Sequence, residues 1–373
     1  MKKKKVLIDI NSIVPLFVRG YLSGIGRTTL ELVNAFSEIK DDLPFEILLY
    51  SQNMKGIGGR NLNLSFQNKH LYLPHRENYN KILGIFPVRE MLTGYDLFHI
   101  PNNFAPVYFP EKTIVTLHDA LFMKIQEERF GHKQMKEIIP PFIRKVKTVI
   151  TCSENSKRDI VETMDVSPNK IHVIPWGIRT DLFYPSKEVV KTPYFFSVSC
   201  NMERKNTPKL IDVYIELAKT NPINDLILVW DAPAKIRQKV SDSGLNHRIH
   251  FIEKVSDAEL QKLYAGATAT VFPSLYEGFG LPILESMACG TPVICSDNTS
   301  LPEVGGDAAI YINPLDNQSI LDALISFENN SQDWETLIKK GLEQISHYTW
   351  KKCAIETAKI YENTLKKNIY DTI

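Results

Sequence analysis

The sequence predicts an α/β protein built from two doubly wound, Rossmann-like domains. Its 373 residues exceed what a single hydrophobic core usually supports, so two domains are expected. Short apolar runs alternate with helical patterns, which is typical of parallel sheets with crossover helices. Most of these runs are continuous in Val, Ile, Leu and Phe, as expected of strands that are covered on both faces.

The candidate strands fall into two series along the chain. The first series is Val6–Ile10, Phe45–Tyr50, Leu97–Ile100, Thr113–Leu117, Val149–Cys152 and His172–Ile174. The second is Phe195–Ser199, Leu226–Val229, Ile249–Ile252, Thr268–Phe272, Val293–Cys295 and Ala309–Ile312. A stretch rich in Pro and Gly separates them, and we predict a linker at Tyr184–Pro193. The first domain is therefore placed at 1–187 and the second at 188–349.

Composition narrows the classes of function. With 44 Lys and Arg against 43 Asp and Glu, the net charge is only +1. The chain as a whole therefore does not attract nucleic acid, and an anionic ligand needs a local binding site. The five cysteines are scattered without a CxxC pair, so we predict a reducing cytoplasm rather than a zinc or disulfide framework. Asp9, Asn11 and Arg19 interrupt the apolar run after the N-terminal lysines. We therefore expect no signal peptide and no membrane span.

The segment Phe272–Pro292, FPSLYEGFGLPILESMACGTP, carries the strongest functional signal. A predicted strand ends near Phe272, a glycine-bearing loop follows, and Pro282 stands where proline can open a helix. Gly290 then ends that helix. Glycines let the backbone approach a ligand closely, and a helix N-terminus offers N–H groups and partial positive charge to a phosphate. The segment predicts an anion site.

Two carboxylates flank this predicted anion site, Glu277 in the loop and Glu285 in the first turns of the helix. Carboxylates are poor partners for phosphate but good bidentate acceptors for pairs of sugar hydroxyls. A ligand with phosphate in its middle and a polyol at each end, such as a nucleotide sugar, fits this combination. The alternative is that both are solvated charges favoured by the helix dipole, and for Glu285 taken alone both interpretations stay open.

The spacing of Glu277 and Glu285 within EGFGLPILE resembles the E-x7-E motif of the large retaining glycosyltransferase family with the GT-B fold, in which two Rossmann-like domains face a cleft. The resemblance covers nearly the whole chain and is strongest from Phe195 to Pro314. It implies that Glu277 contacts the donor hexose and that Glu285 contacts the ribose. It also implies that the glycine-rich loop binds the donor through Gly278, Phe279, Gly280 and Leu281.

A basic pair, Arg204 and Lys205, follows the strand predicted at Phe195–Ser199 and can hold a diphosphate by charge and hydrogen bonds. The family has a similar basic element, a Gly-Arg pair followed by a Lys, and Lys205 matches that Lys. Ser199 and Cys200 stand where the Gly-Arg pair would be, so Arg204 is the candidate replacement. The alternative is a basic pair on a solvated helix start.

Two further elements lie in the first domain. His118 ends the strand predicted at Thr113–Leu117, and the resemblance implies a place near the donor sugar and phosphate. Gly24 and Gly26 lie in a predicted loop before a helix, which resembles the family's glycine loop near the diphosphate and acceptor. Neither element indicates a binding site by itself. A lone histidine is usually structural, and the loop lacks the GxGxxG pattern of dinucleotide-binding proteins.

The sequence shows no carboxylate cluster of the kind that holds a divalent ion, so we predict neither a metal nor another cofactor. Arg204, Lys205 and His118 would then stabilise the leaving diphosphate, together with the helix N-terminus. The resemblance implies retaining transfer of a hexose from a nucleotide sugar to a saccharide or lipid-linked acceptor, with mannose from GDP-mannose as first choice. Two alternatives stay open: a nucleotide-sugar epimerase of similar fold and a non-catalytic nucleotide-sugar-binding subunit.

Two remaining segments bear on partners and packing. His132–Lys147 combines basic and apolar side chains around Pro140–Pro141, which suits contact with an anionic membrane or a lipid-linked acceptor. The alternative is a helix pair that packs on the sheet with a solvated basic face. A cytoplasmic protein, peripheral to the inner face of the membrane at most, is expected. Apolar residues recur at helical spacing in Trp350–Leu365, and the resemblance implies that 350–373 crosses back to the first domain.

Overall fold

The structure is a computed structural model that describes residues 3–20, 22–52, 62–72, 82–124, 132–186, 192–329 and 333–370. The chain divides into two compact units, one comprising Met1–Gly177 and Trp350–Ile373 and the other Ile178–Thr349. Each unit contains one parallel sheet, with helices between most pairs of successive strands in the described residues. The predicted α/β fold class of two doubly wound domains is confirmed.

A seven-stranded parallel sheet forms the centre of the first unit in the described residues. Its strands are β1 (Lys4–Asp9), β2 (Phe45–Gln52), β3 (Asn68–Leu71), β4 (Leu97–Ile100), β5 (Thr113–Thr116), β6 (Thr148–Thr151) and β7 (Ile171–Val173). The spatial order is β3-β2-β1-β4-β5-β6-β7. The helices are α1 (Val14–Arg19), α2 (Gly24–Glu38), α3 (Val88–Thr93), α4 (Leu121–Lys124), α5 (His132–Lys145) and α6 (Glu154–Met164).

Both faces of this sheet are buried. Along β1, Val6 and Ile8 belong to one hydrophobic cluster and Leu7 to another, because successive side chains of a strand point to opposite faces. Helix α2 packs its buried Phe36 in the first cluster, and α5 packs Ile143 in the second. Burial on both faces explains why the strands are continuous apolar runs in the sequence.

Helix α5 differs from the expectation of a kinked helix pair. His132–Lys145 is one helix that carries Pro140 and Pro141 in its interior. A proline removes the hydrogen bond to the carbonyl four residues earlier. Here those carbonyls belong to Lys136 and Glu137, which are both exposed, so water can serve them and the helix continues.

The last helix, α14 (Trp350–Tyr370), belongs to the first unit. Its buried residues Ala354, Ala358, Tyr361 and Leu365 join the same hydrophobic cluster as β1. The Tyr361 ring stacks on Phe36 at 5.7 Å between centroids. Although α14 has 21 residues, neither it nor any other helix within the described ranges is long and apolar enough to cross a membrane.

The second unit contains a six-stranded parallel sheet in the described residues. Its strands are β8 (Tyr194–Val198), β9 (Asp225–Val229), β10 (Ile249–Ile252), β11 (Ala269–Phe272), β12 (Val293–Ser296) and β13 (Ala309–Ile312). The spatial order is β10-β9-β8-β11-β12-β13. The helices are α7 (Thr207–Leu217), α8 (Ala234–Asp242), α9 (Asp257–Ala265), α10 (Leu281–Ala288), α11 (Leu301–Gly305), α12 (Asn317–Glu328) and α13 (Trp334–Ile345).

The division between the units lies earlier than the sequence suggested. Residues from Ile178 onward belong to the second unit, whereas the boundary was expected after residue 187. The Ile178 amide donates to the Tyr348 carbonyl, and the Phe183 ring packs edge-on against Tyr264. Gln261 donates to the Tyr184 carbonyl at 2.7 Å, so the start of the predicted linker is packed structure. Residues 187–191 of that linker lie outside the described residues.

Candidate active site

The strand order of the second sheet creates a switch point between β8 and β11. From β8 the chain moves outward to β9, and from β11 it moves outward to β12 on the opposite side. The loops after these two neighbouring strands therefore diverge and leave a crevice at their carboxyl ends, where open α/β sheets bind ligands. The loop after β8 carries Arg204 and Lys205, and the loop after β11 carries Glu277.

Glu277 joins the two loops through a partly buried ion-pair cluster. Its Oε1 accepts from Lys205 Nζ and its Oε2 from Arg204 Nη1, each at 2.7 Å. The Ser274 hydroxyl donates to the same Oε1 at 2.9 Å. Exposed fractions of the three charged side chains are 13% for Glu277, 14% for Lys205 and 20% for Arg204. The structure thus brings Glu277 together with the basic pair, which the sequence proposed from a different segment.

The protonation state of Glu277 follows from these contacts. Burial by itself would raise the pKa of its carboxyl group, but the charges of Lys205 and Arg204 outweigh burial and hold the pKa at about 2. Glu277 is therefore ionised at any physiological pH. The cluster carries two positive charges and one negative charge in a nearly buried environment, where charges are screened less than in water.

Backbone hydrogen bonds fix the loop that carries Glu277. The Ser300 hydroxyl donates to the carbonyls of Glu277 and Phe279, at 2.9 and 2.8 Å. The Glu277 amide donates to the Thr299 hydroxyl at 3.3 Å. Ser300 is fully buried, so it holds the loop from beneath. The sequence analysis did not identify Ser274, Thr299 and Ser300, although Ser274 lies in the loop after β11, three residues before Glu277.

The predicted glycine loop opens α10 as expected. Gly280 is the N-cap residue with φ of 117°, a left-handed conformation that favours glycine. A Cβ on Gly280 would also lie 2.9 Å from Leu301 Cδ2. Phe279 is buried, with its ring 5.9 Å from Tyr348, so its side chain anchors the loop inside the second unit. Leu281 and Pro282 form the first turn of α10, and Gly278 is half-buried.

Glu285 lies on α10 and is positioned by Tyr264 of α9. The fully buried Tyr264 donates its hydroxyl to Glu285 Oε2 at 2.8 Å. Its ring packs edge-on against Phe196 at 5.1 Å. Burial, followed by the charge of Glu285, raises the pKa of the Cys289 thiol to about 12. Tyr264 was missed in the sequence, because no spacing rule connects it to a carboxylate 21 residues away.

The basic loop shows how the chain departs from the Gly-Arg pattern. Glu203–Lys205 form a 3₁₀ turn just before α7. The Ser199 and Thr207 hydroxyls are hydrogen-bonded to each other, which ties the end of β8 to the start of α7. The Arg204 carbonyl accepts from the Leu275 amide at 2.7 Å. Backbone and side chain together therefore direct Arg204 toward the loop after β11.

His118, in the first unit, follows β5 and is almost completely buried, at 6% exposure. Its Nε2 lies 2.9 Å from the Pro101 carbonyl oxygen, and its ring lies 5.0 Å from Trp176. Burial lowers the pKa of His118 to about 4, so the ring is neutral at pH 7 and supplies no positive charge. Nδ1 has no hydrogen-bond partner among the described residues, and His118 lines a small cavity of about 20 Å³ beside Thr28.

The two glycines of the first unit lie inside a helix, which corrects the expectation of a loop. Helix α2 begins at Gly24, and the N-cap Ser23 accepts from the Gly26 amide at 3.1 Å. A serine cap satisfies an orphan amide and lets the helix begin one residue later. A Cβ on Gly26 would lie 2.5 Å from the Ser12 carbonyl oxygen. Gly26 is therefore required for close packing of α2 against that carbonyl.

No three His, Cys, Asp or Glu side chains of the described ranges lie close enough together to hold a metal ion. The five cysteines form no disulfide. The prediction of metal-independent chemistry stays a prediction.

Comparison with known proteins gives matches to two glycosyltransferase families and to several mannosyltransferases. Residues 179–344 match the sequence model of glycosyl transferases group 1, and residues 22–182 match that of glycosyltransferase family 4. The chain is 28% identical over 284 residues to O-antigen chain mannosyltransferase B of Escherichia coli, covering 71% of this chain and 74% of that protein. It is 32% identical to O-antigen chain mannosyltransferase RfbU of Salmonella typhimurium over 61% of this chain, and the match spans 59% of that relative.

Solved structures agree with this fold. Sucrose-phosphate synthase from Thermosynechococcus elongatus superimposes with a TM-score of 0.77 at 18% identity, covering 98% of this chain and all of that chain. HepE from Anabaena, solved in complex with UDP and glucose, gives 0.72 at 17% identity, covering 96% of this chain and 99% of that chain. The two family matches fall on the two units, and the chain is a glycosyltransferase with the GT-B fold.

Proposed function

We propose that this glycosyltransferase moves mannose from GDP-mannose to a saccharide or lipid-linked saccharide acceptor and retains the anomeric configuration. The observation that carries the proposal is the cluster of Glu277, Arg204 and Lys205 at the switch point of the second sheet. The choice of mannose and of a polysaccharide acceptor is supported by the relatives that are named O-antigen chain mannosyltransferases. The E-x7-E spacing supports retention.

The two cations suit the leaving group. Breaking the bond between sugar and diphosphate places negative charge on a phosphate oxygen, and preorganised donors stabilise that charge most strongly in a site that excludes water. Arg204 and Lys205 are fixed by Glu277 before any ligand arrives. The free energy needed to order the two side chains is therefore already included in folding. Arg204 and Lys205 can then act on the diphosphate without a metal.

The carboxylates suit the two polyol ends of the donor. Glu277 is ionised, with a pKa of about 2, so it can accept hydrogen bonds from hexose hydroxyls. Glu285 presents a carboxylate whose Oε2 is already oriented by Tyr264, which suits the hydroxyl pair of a ribose. His118 of the first unit is neutral at pH 7, so it would add no positive charge for a leaving diphosphate.

A donor panel tests the proposal. The chain would be incubated with GDP-mannose, UDP-glucose or ADP-glucose, with and without an oligosaccharide acceptor, while free nucleotide and the sugar product are measured. We expect GDP release that depends on acceptor and an α-linked product by NMR. A changed donor sugar without acceptor would indicate an epimerase, and binding without turnover of any donor would indicate a non-catalytic subunit.

The metal requirement is tested in the same assay. We expect transfer to persist in EDTA, because Arg204 and Lys205 supply the positive charge at the diphosphate. Complete loss of transfer in EDTA, restored by manganese or magnesium, would overturn this part of the proposal.

A further inference from the structure

Thr299 adopts a backbone conformation that is unusual for its residue type. In the part of the chain that the structure describes, six residues other than glycine have a positive φ. Five of them are Asn or Asp, whose short polar side chains tolerate the left-handed region. The sixth is Thr299, with φ of 54°. A β-branched residue is disfavoured there, so this conformation persists only where the surrounding contacts compensate for it.

The hydrogen bonds of Thr299 lead to Glu277. Thr299 lies in the loop between β12 and α11. Its hydroxyl oxygen accepts from the Glu277 amide at 3.3 Å and donates to Asn298 Oδ1 at 3.4 Å. Because the single hydroxyl hydrogen is engaged by Asn298, the oxygen presents its lone pairs to the Glu277 amide.

The left-handed turn at Thr299 brings two neighbouring hydroxyls to one residue. The Ser300 hydroxyl donates to the Glu277 carbonyl at 2.9 Å, beside the amide that Thr299 binds. In an extended chain, successive side chains point to opposite sides, so residues 299 and 300 could not both reach Glu277. The unfavourable φ of Thr299 therefore allows both backbone groups of Glu277 to be bound.

The loop of Thr299 is also tied to the two loops of the ion-pair cluster. Asn298 Nδ2 donates to the Leu275 carbonyl at 3.2 Å, and the Leu275 amide donates to the Arg204 carbonyl at 2.7 Å. A chain of hydrogen bonds thus runs from the Thr299 hydroxyl to the loop of Arg204. The loops after β8, β11 and β12 are therefore fixed relative to one another, with Glu277 between them.

Other residue types at position 299 would supply the turn or the hydroxyl less completely. Glycine adopts the left-handed region freely but has no side chain. Asparagine tolerates the region, but its amide oxygen lies one bond further from the backbone than a hydroxyl oxygen does. Serine supplies the hydroxyl, but its χ1 angle is less restricted than that of a β-branched threonine. Thr299 therefore combines a fixed hydroxyl with a strained backbone.

We propose that Thr299 is a positioning residue of the donor site, and that its strained backbone favours sugar transfer over stability of the fold. It acts through Glu277, whose amide it binds, and so through the cations that the Glu277 carboxylate orients. A misplacement of about 1 Å can lower a rate by about 100-fold, so small movements of this loop matter. This role rests on the proposed function, because it assigns Thr299 to the site that binds the nucleotide sugar.

Three substitutions of Thr299 separate the effect of the hydroxyl from the effect of the strain. Thr299→Val keeps the shape and the strain but removes the hydroxyl, so it should lower kcat by about five- to tenfold through the lost hydrogen bond. Thr299→Gly removes the strain as well, so its unfolding equilibrium constant should be about fivefold smaller than that of Thr299→Val. Its kcat should nevertheless stay as low as that of Thr299→Val. Thr299→Ser keeps the hydroxyl and should restore most of the turnover.

Asn221 provides the matched control for backbone strain. It also has a positive φ, of 55°, and it is exposed in the same unit, just before β9. Asn221→Val should be less stable than Asn221→Gly in urea unfolding, as is expected for the same pair at Thr299. Neither variant should change kcat, because Asn221 lies at the amino end of β9, whereas the ion-pair cluster lies at the carboxyl ends of the strands.

Hydrogen exchange of the Glu277 amide gives a measurement that needs no donor. This amide should exchange faster in Thr299→Val and in Thr299→Gly than in the unmodified chain, because both variants lack the hydroxyl that binds it. Thr299→Ser should protect the amide. The kinetic measurements use the full chain and the nucleotide sugar on which the unmodified chain is most active.

Three results would contradict this role of Thr299. The first is full turnover by Thr299→Val, and the second is unchanged exchange of the Glu277 amide in that variant. The third is turnover that follows stability, with Thr299→Gly more active than Thr299→Val, which would make the residue merely structural. Absence of turnover by the unmodified chain with every donor would instead overturn the proposed function, and hydrogen exchange would still test whether Thr299 holds Glu277.

Discussion

Replacing Glu277 by Gln tests the ion-pair cluster most directly. The substitution keeps the size of the side chain and one oxygen acceptor for Ser274, but it removes the charge that holds Arg204 and Lys205. Breaking a buried ion pair by removing one partner costs about 3–5 kcal/mol. Arg204 retains 20% and Lys205 14% exposure, so water relieves part of this cost and we expect about 3 kcal/mol.

The lowered pKa of Glu277 expresses the same ion pairs as a dependence of stability on pH. The carboxyl pKa is lowered from 4.5 to about 2, which corresponds to about 3 kcal/mol of stabilisation. Because the folded pKa lies below the unfolded value, this stability is fully present above pH 4.5 and is lost as pH falls toward 2. The difference between Glu277→Gln and the unmodified chain should therefore be constant near neutral pH and shrink below pH 4.5.

Urea unfolding at pH 7 and at several pH values below 4.5 measures the loss of stability in Glu277→Gln and its dependence on pH. Glu203→Gln is the matched control, because Glu203 is an exposed carboxylate on the same loop as Arg204 and Lys205. We expect the control to unfold like the unmodified chain. If Glu277→Gln and Glu203→Gln unfolded at the same urea concentration at pH 7, the cluster would contribute no net stability and the reasoning would be wrong.

Three further predictions concern single side chains. Lys205→Ala should lower kcat by about 100-fold or more with a smaller change in KM, because charge on the diphosphate grows toward the transition state; steady-state kinetics that showed only a raised KM would contradict this. Glu285→Ala should raise the donor dissociation constant in calorimetry by removing the acceptor for the ribose, and an unchanged constant would refute that role. Tyr361→Ala should destabilise the first unit by about 3–5 kcal/mol in thermal unfolding, whereas Lys359→Ala, on the exposed side of α14, should have little effect.

The sequence predicted the strands that carry several apolar residues and missed the one that is mostly polar. The apolar runs around Val6, Phe195 and Val271 became central strands of the two sheets. Strand β3, Asn68–Leu71, was missed because this half-buried edge strand carries only one apolar residue, Leu71. The edge strands β10 and β13 are also partly buried, but they are apolar runs, and the sequence predicted both.

The candidate site was predictable in its residue types but not in its contacts. Glu277 and the basic pair each stand just after a strand, and the switch-point rule places such residues together once β8 and β11 are neighbours. The hydrogen bond between Tyr264 and Glu285 depends on which face of α9 packs toward α10, and periodicity does not specify that face. The neutral state of His118 depends on how deeply the ring is buried, which a strand-end position does not reveal.

Arg204 shows how the sequence and the structure together identify a candidate residue. In the sequence it was only a candidate replacement for a missing Gly-Arg pair, because an arginine near a strand end is common. In the structure its Nη1 lies 2.7 Å from the carboxylate that also holds Lys205. Glu277 stays ionised, so a single lysine would only neutralise it and leave no net positive charge for a diphosphate. On the proposed function, we therefore expect the second cation, Arg204, to be needed for an anionic donor to bind beside Glu277.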